Sequence, residues 1–170
     1  MSEPTTNPTA SLTVEDSLRF LELTGPAGRF IGIDAGTKTL GLALSDVTRM
    51  IASPLETIVR RKFSLDAARL FEITFEHKVA GLVLGLPRNL DGTEGPRAQA
   101  TRALARNLNK LSVLPVLLWD ERLTTAAAER MLIEADQSRK RRAEVIDKLA
   151  ATLILQSALD LMRQAHTRGA

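Results

Sequence analysis

The most constraining stretch of this chain is six residues long. Residues 80–85 read Ala-Gly-Leu-Val-Leu-Gly, small or apolar at every position. A strand with one face in water alternates between apolar and polar residues. An unbroken apolar run of this length predicts a strand buried on both faces. Such a strand needs cover above and below, and the flanking sequence supplies helices. Residues 64–77 place Ala67, Leu70, Phe71 and Thr74 at helical spacing, with Ser64 as the cap. Pro96 suits the first turn of a second helix that carries Ala100, Leu104, Leu108 and Leu111 on one face. Residues 113–119 then form another apolar strand. This strand–helix–strand spacing predicts parallel crossovers.

Upstream, residues 30–34, 40–45 and 56–59 read as three strands with short connections, which favour an antiparallel meander. The expected fold is therefore α/β, with one mixed five-stranded sheet covered by helices on both faces. Beyond residue 119, Thr124 or Thr125 caps a helix over residues 126–135, residues 137–142 form a mobile basic loop, and a last helix runs over residues 143–165. At the other end, residues 1–12 are rich in Ser, Thr, Pro and Asn and are expected to be disordered. Thr13 with Asp16 resembles a capping box for a short helix whose Val14, Leu18 and Leu21 share a face, and Gly25-Pro26 ends it. The expected division is an extension over residues 1–28, one domain over residues 29–166 and a short tail over residues 167–170.

Composition narrows the function. With 44% hydrophobic residues in 170, the chain can bury a full core. The absence of cysteine excludes disulfides, zinc–thiolate sites and thiol nucleophiles. No apolar run is long enough to span a bilayer and no secretory leader is visible, so a cytoplasmic protein without a membrane partner is expected. The net charge is +3, but residues 1–28 carry −3, leaving +6 on the remainder. A basic body suits a phosphate-rich partner. No Tyr and a single Trp argue against recognition by broad aromatic stacking on bases.

Three acidic sites stand out against this background. Asp34 ends the first strand, just before a hairpin bracketed by Gly36 and Gly41. Asp120-Glu121 ends the strand over residues 113–119, and spacing alone does not choose between the two acids. Asp147 lies on the last helix in line with Ala151, Ile154, Ala158 and Leu161, the face expected to meet the sheet, whereas Asp160 points the other way. Asp34 alone has an ordinary reading as a turn-forming Asp, and Asp147 as the partner of a basic side chain or a helix N-terminal charge. Ligands of such sheets gather beyond the carboxyl ends of the parallel strands, where Asp34, the loop over residues 86–95 and Asp120-Glu121 fall, and Asp147 is expected to converge on them. Clustered carboxylates repel one another unless a cation intervenes, and hard divalent ions such as Mg²⁺ and Mn²⁺ prefer oxygen ligands. Two such ions promote phosphodiester cleavage. Arg139-Lys140-Arg141-Arg142 near Asp147, and Arg60-Arg61-Lys62, are the strongest basic clusters.

At these residues the chain resembles the YqgF family, also called RuvX. The resemblance rests on Gly32 through Ala43 with Asp34-Ala35-Gly36-Thr37-Lys38 at its centre, on Ala52-Ser53-Pro54-Leu55-Glu56-Thr57-Ile58, on Val83-Leu84-Gly85-Leu86-Pro87 with Gly92, on Asp120-Glu121-Arg122-Leu123-Thr124-Thr125, and on Asp147-Lys148-Leu149-Ala150-Ala151 followed by Leu153-Ile154-Leu155-Gln156. It covers about residues 29–161. It implies a ribonuclease H-like fold and a metal-dependent nuclease that matures the 5′ end of pre-16S rRNA, with Holliday junction resolution as the alternative. It further implies Asp34, Glu121 and Asp147 as catalytic, metal-binding acids for two Mg²⁺ or Mn²⁺ ions, with Asp120 as a further candidate ligand. Lys38 and Arg122 would contact phosphate or orient the acids. Arg88 and residues Arg139, Lys140, Arg141 and Arg142 complete the expected contacts to RNA or branched DNA. An RNA nuclease can act as a monomer, whereas a symmetric junction resolvase needs a homodimer. Ala35 departs from the larger apolar residue expected there. His77 and His166 fall on helix ends and are expected at the surface.

Two rival readings follow from the same residues. Asp-x-Gly-Thr also opens the phosphate-binding hairpin of actin-like and sugar-kinase ATP-binding enzymes, but these close two lobes around the nucleotide and this chain is long enough for one. A binding module without catalysis is the other, and the three acids argue against it.

Overall fold

A computed structural model describes the backbone of residues 11–124 and 139–168, and side chains within them except those of residues 139–148 and 166–168. In chain order the elements are β1 (Thr13–Val14), α1 (Ser17–Thr24), β2 (Arg29–Ala35), β3 (Thr39–Ser45), β4 (Ala52–Val59), α2 (Phe63–Glu76), β5 (Val79–Leu86), α3 (Pro96–Leu111), β6 (Val116–Asp120), a 3₁₀ turn (Glu121–Leu123) and α4 (Arg139–Arg168). The strands form a single sheet in the order β1-β6-β5-β2-β3-β4. β2, β3 and β4 pair antiparallel, and β2–β5, β5–β6 and β6–β1 pair parallel.

The sheet thus has six strands where five were expected. The added strand is β1, and its two residues lie beside Val116 and Leu117 of β6. Thr13 is therefore no helix cap. Asp16 caps α1, its carboxylate accepting the Leu18 amide at 3.0 Å. The expected α1 face also shifts. Val14 belongs to the strand and Leu18 is 52% exposed, while Phe20, which the pattern does not single out, is completely buried against Phe30 at 5.0 Å between ring centroids.

Apolar residues fill both sides of the sheet, as the run over residues 80–85 requires. Ile31, Ile33, Leu82 and Leu84 point to the side covered by Ala67, Leu70 and Ile73 of α2 and Leu104 and Leu108 of α3. Phe30, Val83, Leu117 and Trp119 point to the other, under Phe20 of α1 and Ile154, Leu155 and Ala158 of α4. The strand period of two assigns neighbouring residues to opposite cores. Gly32 lets α4 pack tightly here. A Cβ on it would come within 2.6 Å of the Leu155 Cβ and 2.8 Å of the Ala151 carbonyl.

Three residues expected on buried helical faces are exposed. Leu111 and Leu161 are 60% and 42% exposed, and Ala100 is exposed too; Leu111 is the last residue of α3, whereas Ala100 and Leu161 lie beside buried residues of the same helix, Thr101 and Met162. Arg139 to Arg142, expected in a loop, form the first turn of α4, where Arg and Lys are good helix formers. β4 begins at Ala52 rather than residue 56 and tolerates Pro54 because it is the sheet's outer strand. The helix expected over residues 126–135 lies outside the described residues. Among the described residues no helix is long and apolar enough to cross a membrane.

Candidate active site

β2, β5 and β6 run parallel, so their carboxyl ends share one edge. Asp34, next to last in β2, reaches this edge half-buried, with Gly41 of β3 beside it. β6 ends at Asp120, opposite Leu86 of β5, and the chain bends at once into the 3₁₀ turn. That bend separates the two consecutive acids.

Asp120 turns back to cap the bend. Its carboxylate accepts the Arg122 amide at 3.0 Å and the Arg122 guanidinium at 2.6 Å. The Arg122 hydrogen bond holds its carboxyl below the usual carboxylate range. Glu121 turns inward instead. Its Oε1 lies over Gly85, where a Cβ would approach it to 2.5 Å, and the Ile154 side chain of α4 closes the same spot at 2.6 Å. Burial raises the Glu121 carboxyl to about 7, the negative charge of Asp34 acts in the same direction, and Arg97 opposes both. Burial first and the Asp34 charge second thus favour the neutral form of Glu121, an effect that a cation at this edge would oppose.

Asp147 stands on α4, whose direction follows from its contacts with the sheet. The helix crosses β2 with Ala151 and Leu155 on Gly32, and Gln156 reaches the Ala52 amide at 2.8 Å and the Met50 carbonyl at 3.0 Å, at the opposite edge of the sheet. Toward its N-terminus the helix therefore runs back to the Asp34 edge, and Asp147 is one turn before Ala151 on it. The side chain of Asp147 lies outside the described residues, as do those of Arg139, Lys140, Arg141 and Arg142. Among the described residues no group of three or more His, Asp or Glu side chains is placed to hold a metal ion.

The expected basic residues divide. Lys38 is exposed in the β2–β3 turn, where its carbonyl accepts the Arg60 amide at 2.9 Å. Arg122 is committed to Asp120 and also reaches the Leu90 carbonyl at 3.4 Å, fastening the loop between β5 and α3. Arg88 is drawn into a network in which its guanidinium meets Glu15 at 2.7 Å, and Arg102 bridges Glu15 and Glu94 at 3.0 and 2.6 Å. His77 sits at the end of α2, and the His166 side chain lies outside the described residues. Two further arginines flank the Asp34 turn: Arg60, which in sequence is only one member of a basic cluster, and Arg97, which sequence reasoning misses. Arg60 donates to the Gly36 carbonyl at 2.7 Å and Arg97 to the Ala35 carbonyl at 3.4 Å. A signal for Arg97 exists: Pro96 begins α3, so the next residue is fixed in the first turn of a helix rising from the active edge.

Sheet order, parallel pairing and two-sided cover define a ribonuclease H-like α/β fold. The fold is similar to that of the yeast mitochondrial Holliday junction resolvase, with a TM-score of 0.52 at 13% identity over 88% of this chain and 87% of that one. It is similar too to Thermus thermophilus RuvC bound to a Holliday junction, with a TM-score of 0.51 at 16% identity over 75% and 91% of the two chains. The chain belongs to the RuvX family of nucleases, whose model, described as Holliday junction resolvase, matches residues 28–161. Proteins named "Putative pre-16S rRNA nuclease" are similar along most of their length. The one from Roseobacter denitrificans is 58% identical over 89% of this chain and 94% of its own, and the one from Rhodobacter capsulatus 62% identical over 82% and 86%.

Proposed function

We propose that this nuclease cleaves phosphodiester bonds of pre-16S rRNA during 5′-end maturation, using Asp34, Glu121 and Asp147 as its acids. The observation that carries the chemistry is Glu121 packed over Gly85 within the field of Asp34. The substrate reading is supported by the names of relatives at 58% and 62% identity.

The donor set fits a hard divalent cation. Asp34 and Glu121 offer carboxylate oxygens, and their mutual repulsion favours a bound positive charge. Asp147, one helical turn before the contact with Gly32, is the third ligand in this reading. Two Mg²⁺ or Mn²⁺ ions, once bound by these acids, would supply charge neutralisation and water activation for phosphodiester hydrolysis. The chain's own part is to hold Glu121 rigidly through Gly85 and Ile154, to keep Asp120 away through Arg122, and to fix Asp34 on a central strand. Arg139, Lys140, Arg141 and Arg142, with Lys38, contact the nucleic-acid backbone. Acting on RNA, the protein works as a monomer in the cytoplasm.

The second reading is cleavage of four-way DNA junctions, supported by the description of the matching family model. It requires a homodimer. The test is cleavage of end-labelled 16S 5′-precursor RNA and of a four-way junction in Mg²⁺ or Mn²⁺, comparing wild type with Asp34→Asn, Glu121→Gln and Asp147→Asn. Metal-dependent RNA cutting that each variant lacks is the expected result. Paired symmetric nicks in the junction without RNA cutting would favour the second reading. Full activity in any of the three variants would remove that acid from the site.

A further inference from the structure

We infer that Arg97 and Arg60 form a phosphate-binding site beside the Asp34 turn, gripping the substrate backbone next to the bond that is cut. The inference rests on the nuclease reading above and adds a site to it.

Both guanidiniums converge on the same turn from different elements. Arg60 follows β4 and reaches the Gly36 carbonyl at 2.7 Å, and Arg97 rises from the first turn of α3 to the Ala35 carbonyl at 3.4 Å. They line one cleft of about 50 Å³ together with Gly36, Thr37 and Thr101. That volume is well below that of a small-molecule pocket and suits a single oxyanion rather than a base.

Charge balance separates these two arginines from their neighbours. Arg88, Arg102 and Arg122 are matched by Glu15, Glu94 and Asp120. Arg60 and Arg97 have no carboxylate salt bridge among the described residues and donate to backbone carbonyls. Each retains further donors, since a guanidinium carries five N–H groups in a planar fork that matches phosphate oxygens. Arg97 is exposed and Arg60 half-buried, so the cleft is open to a backbone lying along the edge. Arg97 is also near enough to Glu121 to act on its charge. A phosphate held here is therefore adjacent to the acid pair, and two fixed positive charges balance its approach to two carboxylates.

The test uses the full chain and an end-labelled 16S 5′-precursor RNA. Binding is measured in EDTA across a salt titration, and single-turnover cleavage in Mn²⁺, for wild type, Arg97→Gln, Arg60→Gln and the double variant. Arg163→Gln, paired with Asp160 at the far end of α4, is the charge control. Removing one phosphate-binding cation should lower the slope of log K against log salt by about 0.7 for a single strand. Cleavage should fall at least tenfold in each single variant, and Arg97→Lys should restore part of it. A substrate with one neutral methylphosphonate beside the cleaved bond should slow the wild type and leave Arg97→Gln no slower than on normal RNA. An unchanged salt slope, or a methylphosphonate penalty equal in wild type and Arg97→Gln, would overturn the site. If wild type cleaves no nucleic acid at all, the nuclease reading fails first, and the salt slopes still decide whether these arginines bind phosphate.

Discussion

Glu121 and Gly85 are locked together: the carboxylate occupies the space that any side chain at position 85 would need, with a Cβ at 2.5 Å from Oε1. Gly85→Ala should therefore displace Glu121 and the Ile154 side chain at 2.6 Å. Overpacking of this kind costs about 1–3 kcal/mol. Cleavage should fall at least tenfold, with thermal unfolding still cooperative. Equal cleavage rates for the variant and wild type would show that Glu121 is free to move.

Glu121 should also write itself into the pH dependence of stability. Its carboxyl sits at about 7 in the folded protein against an ordinary 4.5. Between those values the folded state keeps a proton that the unfolded chain has released. The resulting stability is complete below about pH 4.5 and is lost as pH rises through 7. Without divalent metal, wild type should lose on the order of 1–3 kcal/mol across that window. Glu121→Gln should show a flatter profile and unfold at a higher temperature than wild type at pH 8, although it no longer cleaves. Urea titrations at several pH values check this, and parallel profiles would contradict it.

The neighbouring acid should behave differently. Asp120 is tied to Arg122 at 2.6 Å in a partly exposed pair. Such pairs contribute about 0–1 kcal/mol. Asp120→Asn should keep cleavage within about 10- to 100-fold of wild type, as for residues that only support a ligand. Glu121→Gln should lose more. Single-turnover rates for the two variants decide between them.

Neutralising Arg139, Lys140, Arg141 and Arg142 to Gln should weaken substrate binding and flatten its salt dependence. The slope should fall by up to about 0.7 for each of these side chains that neutralises a single-strand phosphate. Unchanged binding across the titration would place them away from the substrate path.

Phe20→Ala tests whether the segment ahead of the family match is part of the fold. Phe20 is completely buried against Phe30. Truncating such a residue costs about 3–5 kcal/mol. A comparable drop in global unfolding free energy is expected, and a change below about 1 kcal/mol would mean that α1 detaches without consequence.

Much of this architecture can be read from residue order because burial leaves a periodic trace. The apolar run over residues 80–85 requires helices on both faces, and α2 and α3 supply one cover while α1 and α4 supply the other. Asp34 is visible because Gly36 and Gly41 mark the hairpin beside it. β1 leaves no such trace, since two residues are too few for a period and Thr13 with Asp16 imitates a cap. The choice between Asp120 and Glu121 is made by a three-residue bend, which alternation along β6 does not predict. Arg60 and Arg97 look like ordinary solvated charges in sequence, and only the folding of β4 and α3 onto one turn brings them together.

The short β1 has a consequence for solubility. β6 carries Val-Leu-Leu-Trp, and as an outermost strand it would offer an apolar row of unpaired amides and carbonyls to any other strand in solution. β1 pairs with Val116 and Leu117, the Leu12 carbonyl takes the Val116 amide at 2.8 Å, and Glu15 follows immediately. The new border is only two residues long and ends in a charge, while the opposite border carries Pro54. The segment before Arg29 thus covers part of the β6 edge, and Pro54 removes one amide donor from β4.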